Sequence, residues 1–419
     1  MDETEQNWFV GVDWASEAHH VRAADGRGGK LGERVFAHSG AGLADMAAWI
    51  LALTGAPAQA ISVAIEVPHG PVVESLMEHG FRVCAINPKQ LDRFRDRFSP
   101  AGAKDDSRDA EVLADALRTD PRSFRVLTPL DPLVIELREW SRIAEDLREE
   151  RVRLSNRLRE QLWRYYPQFL ELTDDVAAGW VLELWALLPT PAKAGRVRES
   201  TIAALFKRHR IRRLTAADVL ARLRTPALVV APGTSAAAIA HIEMVAKRLT
   251  LVNRQIAAAN QQLDRLTEGL VGSEAAEPGH REEQRDVTIL RSLPGVGRIV
   301  LATLLAEASD ALRRRDYHAL RCLCGVAPVT RRSGKSRLVQ RRQAAHRRLA
   351  NAVYHWARVA VQHDPRSRAK YAALRQRGHG HARALRSVAD RLLAVACAML
   401  ESQTLYDPRL GRQTANQPA

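Results

Sequence analysis

A chain of 419 residues exceeds what one ordinary core serves, and a 46% hydrophobic fraction excludes wholesale disorder. Lys and Arg number 63 against 48 Asp and Glu, leaving a net charge of +15 and a pI near 10.3, which calls for a polyanionic partner. Nucleic acid is favoured over a membrane, because no apolar run reaches the roughly 18 residues a span requires. The acidic start, Met1 to Gln6, has no positive n-region and is not read as a secretory signal. Cys84, Cys322, Cys324 and Cys397 are too scattered for a zinc cage and read as reduced thiols of a cytoplasmic protein.

The first stretch alternates strand and helix patterns. Trp8 to Asp13 is a short apolar run ending in a carboxylate. Two further strands are expected around His20–Ala23 and Glu33–Ala37, across a glycine-rich turn at Gly26–Gly29. A helix from Leu43 to Leu53 precedes Ile61–Glu66, which also ends in an acid. A helix from Pro71 to His79, a strand from Phe81 to Ile86 and a helix from Asp106 to Arg118 complete an α/β unit, residues 1–128.

Past Pro129 and Pro132 the pattern turns to long helices, residues 129–271. Leu133, Leu137, Trp140, Ala144, Leu147, Leu154 and Leu158 step in fours and threes, with Arg151 at the interrupted position. A second seam runs Ile242, Val245, Leu249, Val252, Ile256, Ala259, Leu263, Leu266. Such stripes fit an antiparallel coiled coil within the chain or a dimer contact; for the first, an ordinary amphipathic helix fits equally well. A helical insert between them carries the basic run Lys207–Arg213. Residues 272–285 read as a linker, 286–407 as a basic helical domain and 408–419 as a polar, disordered tail. Trp140, Trp163, Trp180, Trp185 and Trp356 are expected in cores or seams.

Four carboxylates carry the chemistry: Asp13 and Glu66 at strand ends, and Asp106 with Asp109 one turn apart on a helix. Hard oxygen ligands so grouped suit Mg²⁺, and two such ions can activate a nucleophile and stabilise the leaving oxygen of a phosphodiester. Taken singly, Asp106 reads as an N-cap and Asp109 as a first-turn acid that the helix dipole favours. The combination of two strand-ending acids with a later acid pair is the rarer pattern.

In the basic domain, Ser292-Leu-Pro-Gly-Val-Gly297 before an apolar run resembles a helix-hairpin-helix turn, in which Gly295 and Gly297 allow close approach to a phosphate; a plain tight turn between packed helices fits as well. Further on, Ser333-Gly334 forms the turn of a polar loop among Arg331, Arg332, Lys335 and Arg337, with Arg341 and Arg342 beyond, all read as nucleic-acid contacts. No base for a serine nucleophile is evident in the loop. His346 and His355 read as phosphate contacts or packing residues.

Val10-Gly-Val-Asp13, Ala64-Ile-Glu66 and Gly102–Ala114 resemble the motifs of the DEDD transposases of the insertion-sequence one-ten family, and Leu293–Gly297, Gly325–Pro328, Ser333-Gly334, Asp364-Pro365, Tyr371, Ala384-Leu385 and Tyr406-Asp407 are similar to that family's C-terminal domain. The resemblance implies an α/β plus all-α chain: an RNase H-like (RuvC-type) N-terminal domain, a helical coiled-coil middle and a C-terminal transposase domain. It assigns metal ligation to Asp13, Glu66, Asp106 and Asp109, with Asp105 as the alternative to Asp106, since the family has Thr or Ser at the position of Asp105. It makes Ser333 the residue that joins covalently to DNA. It also implies double-stranded element and target DNA, an element-encoded structured RNA, a homodimer or homotetramer, and residence at the bacterial nucleoid. Two other readings stand beside it: a metal-dependent nuclease of branched DNA, and a non-catalytic DNA-binding protein.

Overall fold

The computed structural model describes residues 8–98, 106–129, 131–272, 286–334 and 336–408. The expected linker beyond residue 272, most of the tail, Asp105 and Lys335 lie outside the described residues. The chain divides into two units, Met1–Leu130 and Asp131–Ala419.

The first unit is built on a mixed sheet. β1 (Trp8–Trp14), β2 (Ala18–Ala24) and β3 (Lys30–Ala37) form an antiparallel meander; α1 (Gly40–Thr54) leads to β4 (Ile61–Ile65), α2 (Pro71–Glu78) to β5 (Arg82–Ala85). α3 (Pro88–Phe98), α4 (Asp106–Thr119) and the short β6 (Arg125–Val126) follow, and the order across the sheet is β3-β2-β1-β4-β5-β6. β4 and β5 run parallel to β1, so the chain extends the sheet first to one side of β1 and then to the other.

Strand period two sorts the side chains between the two faces. Val10, Val12, Val63 and Ile65 join Met46, Ile50 and Leu76 in one core, under α1 and α2. Ala64, Cys84 and Ile86 point the other way and pack with Leu91, Val112, Leu113 and Leu117 of α3 and α4. α4 lies against β1 so closely that a Cβ on Gly11 would fall 1.9 Å from the Ala110 carbonyl oxygen and 2.8 Å from the Ala114 nitrogen. Ser39 caps α1 by accepting from the Gly42 amide. α3 was not foreseen: a dense run of charge separates its few apolar residues, Leu91, Phe94 and Phe98.

Among its described residues, the second unit is helical apart from one hairpin. α5 (Pro132–Tyr165) begins at the Asp131 cap, and α6 (Gly179–Leu187), α7 (Pro191–Arg196), α8 (Glu199–Arg208) and α9 (Ala216–Leu223) form the insert before α10 (Pro232–Gly272). α5 and α10 pack antiparallel, as their polar contacts show: Glu136 meets Gln262, Arg148 meets Asn260 and Arg151 meets Asn253. Arg151 at the break in the seam is thus satisfied by Asn253 and by Asp175, 2.8 Å away. Toward one end of the pair, Leu154, Leu158, Ile242, Leu249 and Val252 share a core with the insert, including Trp180 and Trp185. Toward the other, Leu137, Ala144, Leu263 and Leu266 share a core with the C-terminal helices. Trp163, expected inside, is 68% exposed: it stands one residue past Leu162, off the stripe that Leu154, Leu158, Leu162 and Tyr165 bury.

α11 (residues 286–292), α12 (Arg298–Glu307), α13 (Ser309–Arg313) and α14 (Tyr317–Leu323) lead to β7 (Val329–Ser333) and β8 (Ser336–Gln340), then α15 (Arg347–His363), α16 (Pro365–Gln376) and α17 (His381–Ser402). Trp356 is fully buried at the centre and its indole N–H donates to the Pro294 carbonyl at 2.9 Å. No helix among the described residues is long and apolar enough to cross a membrane.

The contact at Gly11 has a measurable consequence. Gly11→Ala should force α4 off β1 and destabilise the first unit by roughly 1–3 kcal/mol, the ordinary cost of overpacking, seen as a lowered Tm in thermal unfolding. An unchanged Tm would contradict the packing described.

Candidate functional site

The carboxyl ends of β1 and β4 lie side by side: Val12 pairs with Ile65, so Asp13 and Glu66 are the next residues on adjacent parallel strands. Asp13 also ends the Gly11 side of β1, the face on which α4 lies. The Gly11–Ala110 contact fixes the height of α4, and Asp109, the residue before Ala110, is brought in with only 2% exposure.

A cation already stands among these acids. Arg95 of α3 donates from Nε to Asp109 Oδ1 at 2.7 Å and from Nη2 to Asp109 Oδ2 at 3.0 Å, a bidentate fork. Its Nη2 is 3.8 Å from Glu66 Oε2, and Nη1 donates to Asp92 Oδ1 at 2.6 Å. Burial opposes the charge on this guanidinium, but the Asp109 hydrogen bonds and the field of Asp109, Glu66 and Asp92 outweigh it and hold Arg95 above its ordinary pKa.

The other two acids both lie near one histidine. His20 is the cross-strand partner of Asp13, and its Nε2 lies 3.9 Å from Asp106 Oδ2. Asp106 is the first residue of α4 and largely exposed, so the capping position falls one residue earlier, outside the described residues. Two more contacts pin α4 over the meander: Ser107 hydrogen-bonds Glu33, and Arg22 Nη2 reaches Glu111 Oε1 at 2.7 Å. Lys30 first, then Ser107, hold the Glu33 carboxyl below its usual range. Among the described residues no three Asp, Glu, His or Cys side chains close on one point as a ligand set. Glu66 and Asp109 converge on Arg95, while Asp106 reaches His20, the cross-strand neighbour of Asp13.

Arg95 and His20 are the residues that sequence reasoning missed. The signal for Arg95 was slight: the three-residue spacing of Leu91 and Phe94, with Arg95 beside them, inside a segment of alternating charge.

In the second unit, the stretch expected as a loop is a hairpin. Ser333 ends β7 and pairs with Ser336, and Gly334 in the turn takes φ +54°. Arg331, Arg332, Ser333, Arg337, Leu338 and Val339 are all exposed. Arg332 and Arg337 face each other directly across the ladder, a like-charge pair that an anion would relieve. Ser333 and Arg331 share the opposite face. The expected contact Lys335 lies outside the described residues; Arg341 and Arg342 follow β8 directly.

The Leu293–Gly297 turn joins α11 to α12, and its glycines differ. Gly295 (φ +81°) turns its open side onto α15, where a Cβ would lie 2.8 Å from the Ala360 nitrogen, so helix packing accounts for this glycine. Gly297 is the N-cap of α12 and has open space beside it. His346 caps α15, its Nδ1 accepting from the Leu349 amide at 3.4 Å, which makes it a packing residue; burial first lowers its pKa, against the pull of Glu307.

Two family models match the chain. One, described as a transposase and belonging to the DEDD type of IS110, covers residues 10–167, and one described as the transposase IS116/IS110/IS902 family covers residues 287–372. A Sinorhizobium fredii protein named as a transposase is 68% identical over 213 residues, which are 51% of this chain and 59% of that relative, so the match spans less than two thirds of its length. The protein named as the transposase of the IS117 mini-circle of Streptomyces coelicolor is 32% identical over 415 residues, 95% of each chain. A 43.6 kDa protein of insertion element IS110, also from Streptomyces coelicolor, is 28% identical over 407 residues, 96% of each. With both halves matched by one family and a relative aligned along nearly its whole length, the chain belongs to the IS110 family of insertion-sequence transposases.

Proposed function

We propose that this chain cuts and rejoins DNA strands at the ends of a mobile element, using a carboxylate site in its first unit and Ser333 as nucleophile in its second. The observation that carries this reading is the Arg95 guanidinium lodged between Asp109 and Glu66. A buried acid beside a second acid needs a cation, and hard carboxylate oxygens suit Mg²⁺ once that place is vacated. Asp13, Glu66, Asp106 and Asp109 would hold the metal, one ion or two. When bound, Mg²⁺ neutralises phosphate charge and activates the attacking oxygen. The sheet order and strand directions support the RNase H-like, RuvC-type reading of residues 1–128. Residues 129–271 then serve as a coiled-coil connector to the transposase domain at 286–407, assembled as a homodimer or homotetramer.

The chain's own residues have distinct tasks in this scheme. The strand ends hold Asp13 and Glu66 rigid, and α4 delivers Asp109. Arg95 swings away from Asp109 and is then free to take a phosphate oxygen. On the hairpin, Arg331 shares Ser333's face and draws phosphate to it; Arg332 and Arg337 gain by sharing an anion. Ser333 Oγ gives up its proton to solvent and forms a bond to phosphorus while the 3′-oxygen leaves and takes up a proton, giving a 5′-phosphoserine link; a 3′-hydroxyl of the partner strand later attacks that phosphorus and releases the serine hydroxyl. An RNA transcribed from the element is the second polyanion of this reading, in keeping with the charge of +15.

One observation favours a second reading, a metal-dependent nuclease that uses activated water: among the described residues no base hydrogen-bonds Ser333. Ser333→Ala separates the two. Incubated with Mg²⁺, element ends and the RNA, the wild-type protein should yield a covalent protein–DNA adduct and Ser333→Ala none, with DNA binding kept. Cutting that persists in the variant would favour the nuclease.

The stand-in cation makes its own prediction. Arg95→Gln removes the competitor for the acids, so Mn²⁺ should bind roughly tenfold more tightly, about 1.4 kcal/mol, in titration calorimetry. Equal or weaker binding would contradict the assignment.

A further inference from the structure

The second unit contains a cavity of about 510 Å³, away from the Ser333 turn, walled by α5, α15, α17, the Cys324–Val326 turn and the segment that follows β8. Three arginines line it: Arg341 and Arg342 from that segment and Arg386 from α17. None of the three has a carboxylate partner among the described residues, whereas their neighbours do. Arg321 pairs with Asp390 at 2.6 Å, Arg315 with Asp286, and Arg348 with Glu145 at 2.7 Å. The acids on the cavity wall are thus already engaged: Glu145 by Arg348, and Glu149 by Arg347 at 3.3 Å.

Two observations favour an anion at this cluster. The Nε of Arg342 is buried and has no hydrogen-bond partner, an arrangement that costs free energy until an acceptor arrives. Burial first, and then the charges of Arg341 and Arg383, hold Arg386 below its ordinary pKa, so like charges are crowded where one of them is partly desolvated. Beside them, Asn351 and Tyr354 stand one turn apart on α15, both exposed at the cavity wall. An aromatic ring and an amide next to a cationic cluster match a nucleotide: phosphate for the guanidinium groups, a base for the ring. The cavity also continues the hairpin, since β8 runs directly into Arg341 and Arg342.

We propose that this cavity is a subsite for one phosphodiester of a nucleic-acid strand, gripped by Arg341, Arg342 and Arg386, with the adjoining base laid on Tyr354. It rests on the reading of the chain as a nucleic-acid recombinase, and adds to it Arg386, Asn351 and Tyr354, which no motif marks.

The test compares the full-length wild-type protein, the double variant Arg342→Gln/Arg386→Gln and the control Arg377→Gln, which lies outside the cavity. Binding of a short fluorescent single-stranded DNA, and of the same sequence as RNA, is followed by anisotropy across a salt series. The double variant should lose roughly tenfold in affinity, and its log–log salt slope should fall by about one to two, the loss of one or two phosphate contacts; the control should stay near wild type. The arm with the larger loss tells whether DNA or RNA supplies the phosphate. Inorganic pyrophosphate should raise the Tm of wild type and not of the double variant. With no anion present, the double variant should unfold no lower than wild type, because a mutual repulsion has been removed. A wild-type affinity and salt slope in the double variant, or an equal loss in the control, overturns the pocket. A double variant that unfolds well below wild type without anion also overturns it, since the arginines would then be structural. If the wild-type protein binds neither strand, the recombinase reading itself falls.

Discussion

Carboxylates brought together at the ends of adjacent strands repel one another, and a fold that gathers them must supply a counter-charge. In this protein the counter-charge is Arg95, whose planar fork satisfies both oxygens of Asp109 and reaches toward Glu66. The rest of the first unit serves that encounter. Parallel pairing of β1 with β4 sets Asp13 beside Glu66, the bare Cα of Gly11 lets α4 come down onto the sheet, and contacts from Arg22, Glu33 and His20 hold α4 in register. A single guanidinium thus offsets part of the negative charge of Asp109, Glu66 and Asp92.

The second unit is organised differently. α5 and α10 are long enough to join a core at each end, one with the helical insert and one with the C-terminal helices. That leaves the β7–β8 hairpin with almost no core of its own: apart from Val329 its described residues are exposed, including Leu338 and Val339. A two-stranded ribbon is marginal in water by itself. Across it Arg332 and Arg337 stand opposite each other, a like-charge pair on an exposed ribbon.

Much of this was legible in the amino-acid order, because periodicity reports burial directly. Apolar runs closed by Asp13 and Glu66 marked β1 and β4, and the steps of Ile242, Val245, Leu249 and Val252 marked a buried stripe on α10. What escaped was set by tertiary contact. α3 carries so much charge that the spacing of its three apolar residues, Leu91, Phe94 and Phe98, was passed over, and Arg95 went with it. Trp163 was assigned by residue type, although its position on α5 faces solvent. Gly295 followed a phosphate-binding motif, while the structure uses it for the passage of α15. The Ser333 segment was read as a loop because polar strands that bury nothing show no alternation; only its cross-strand partner made it a hairpin. The arginine cavity draws on five separate segments, and no local spacing foretells such a convergence.

The most direct test of the central claim is crystallographic: the full-length protein soaked in Mn²⁺, with the ion located by its anomalous scattering. The account predicts a peak bounded by Asp13, Glu66 and Asp109, with the Arg95 guanidinium turned out of the site. A guanidinium still bridging Asp109 and Glu66 at saturating Mn²⁺, with the ion bound elsewhere, would contradict it.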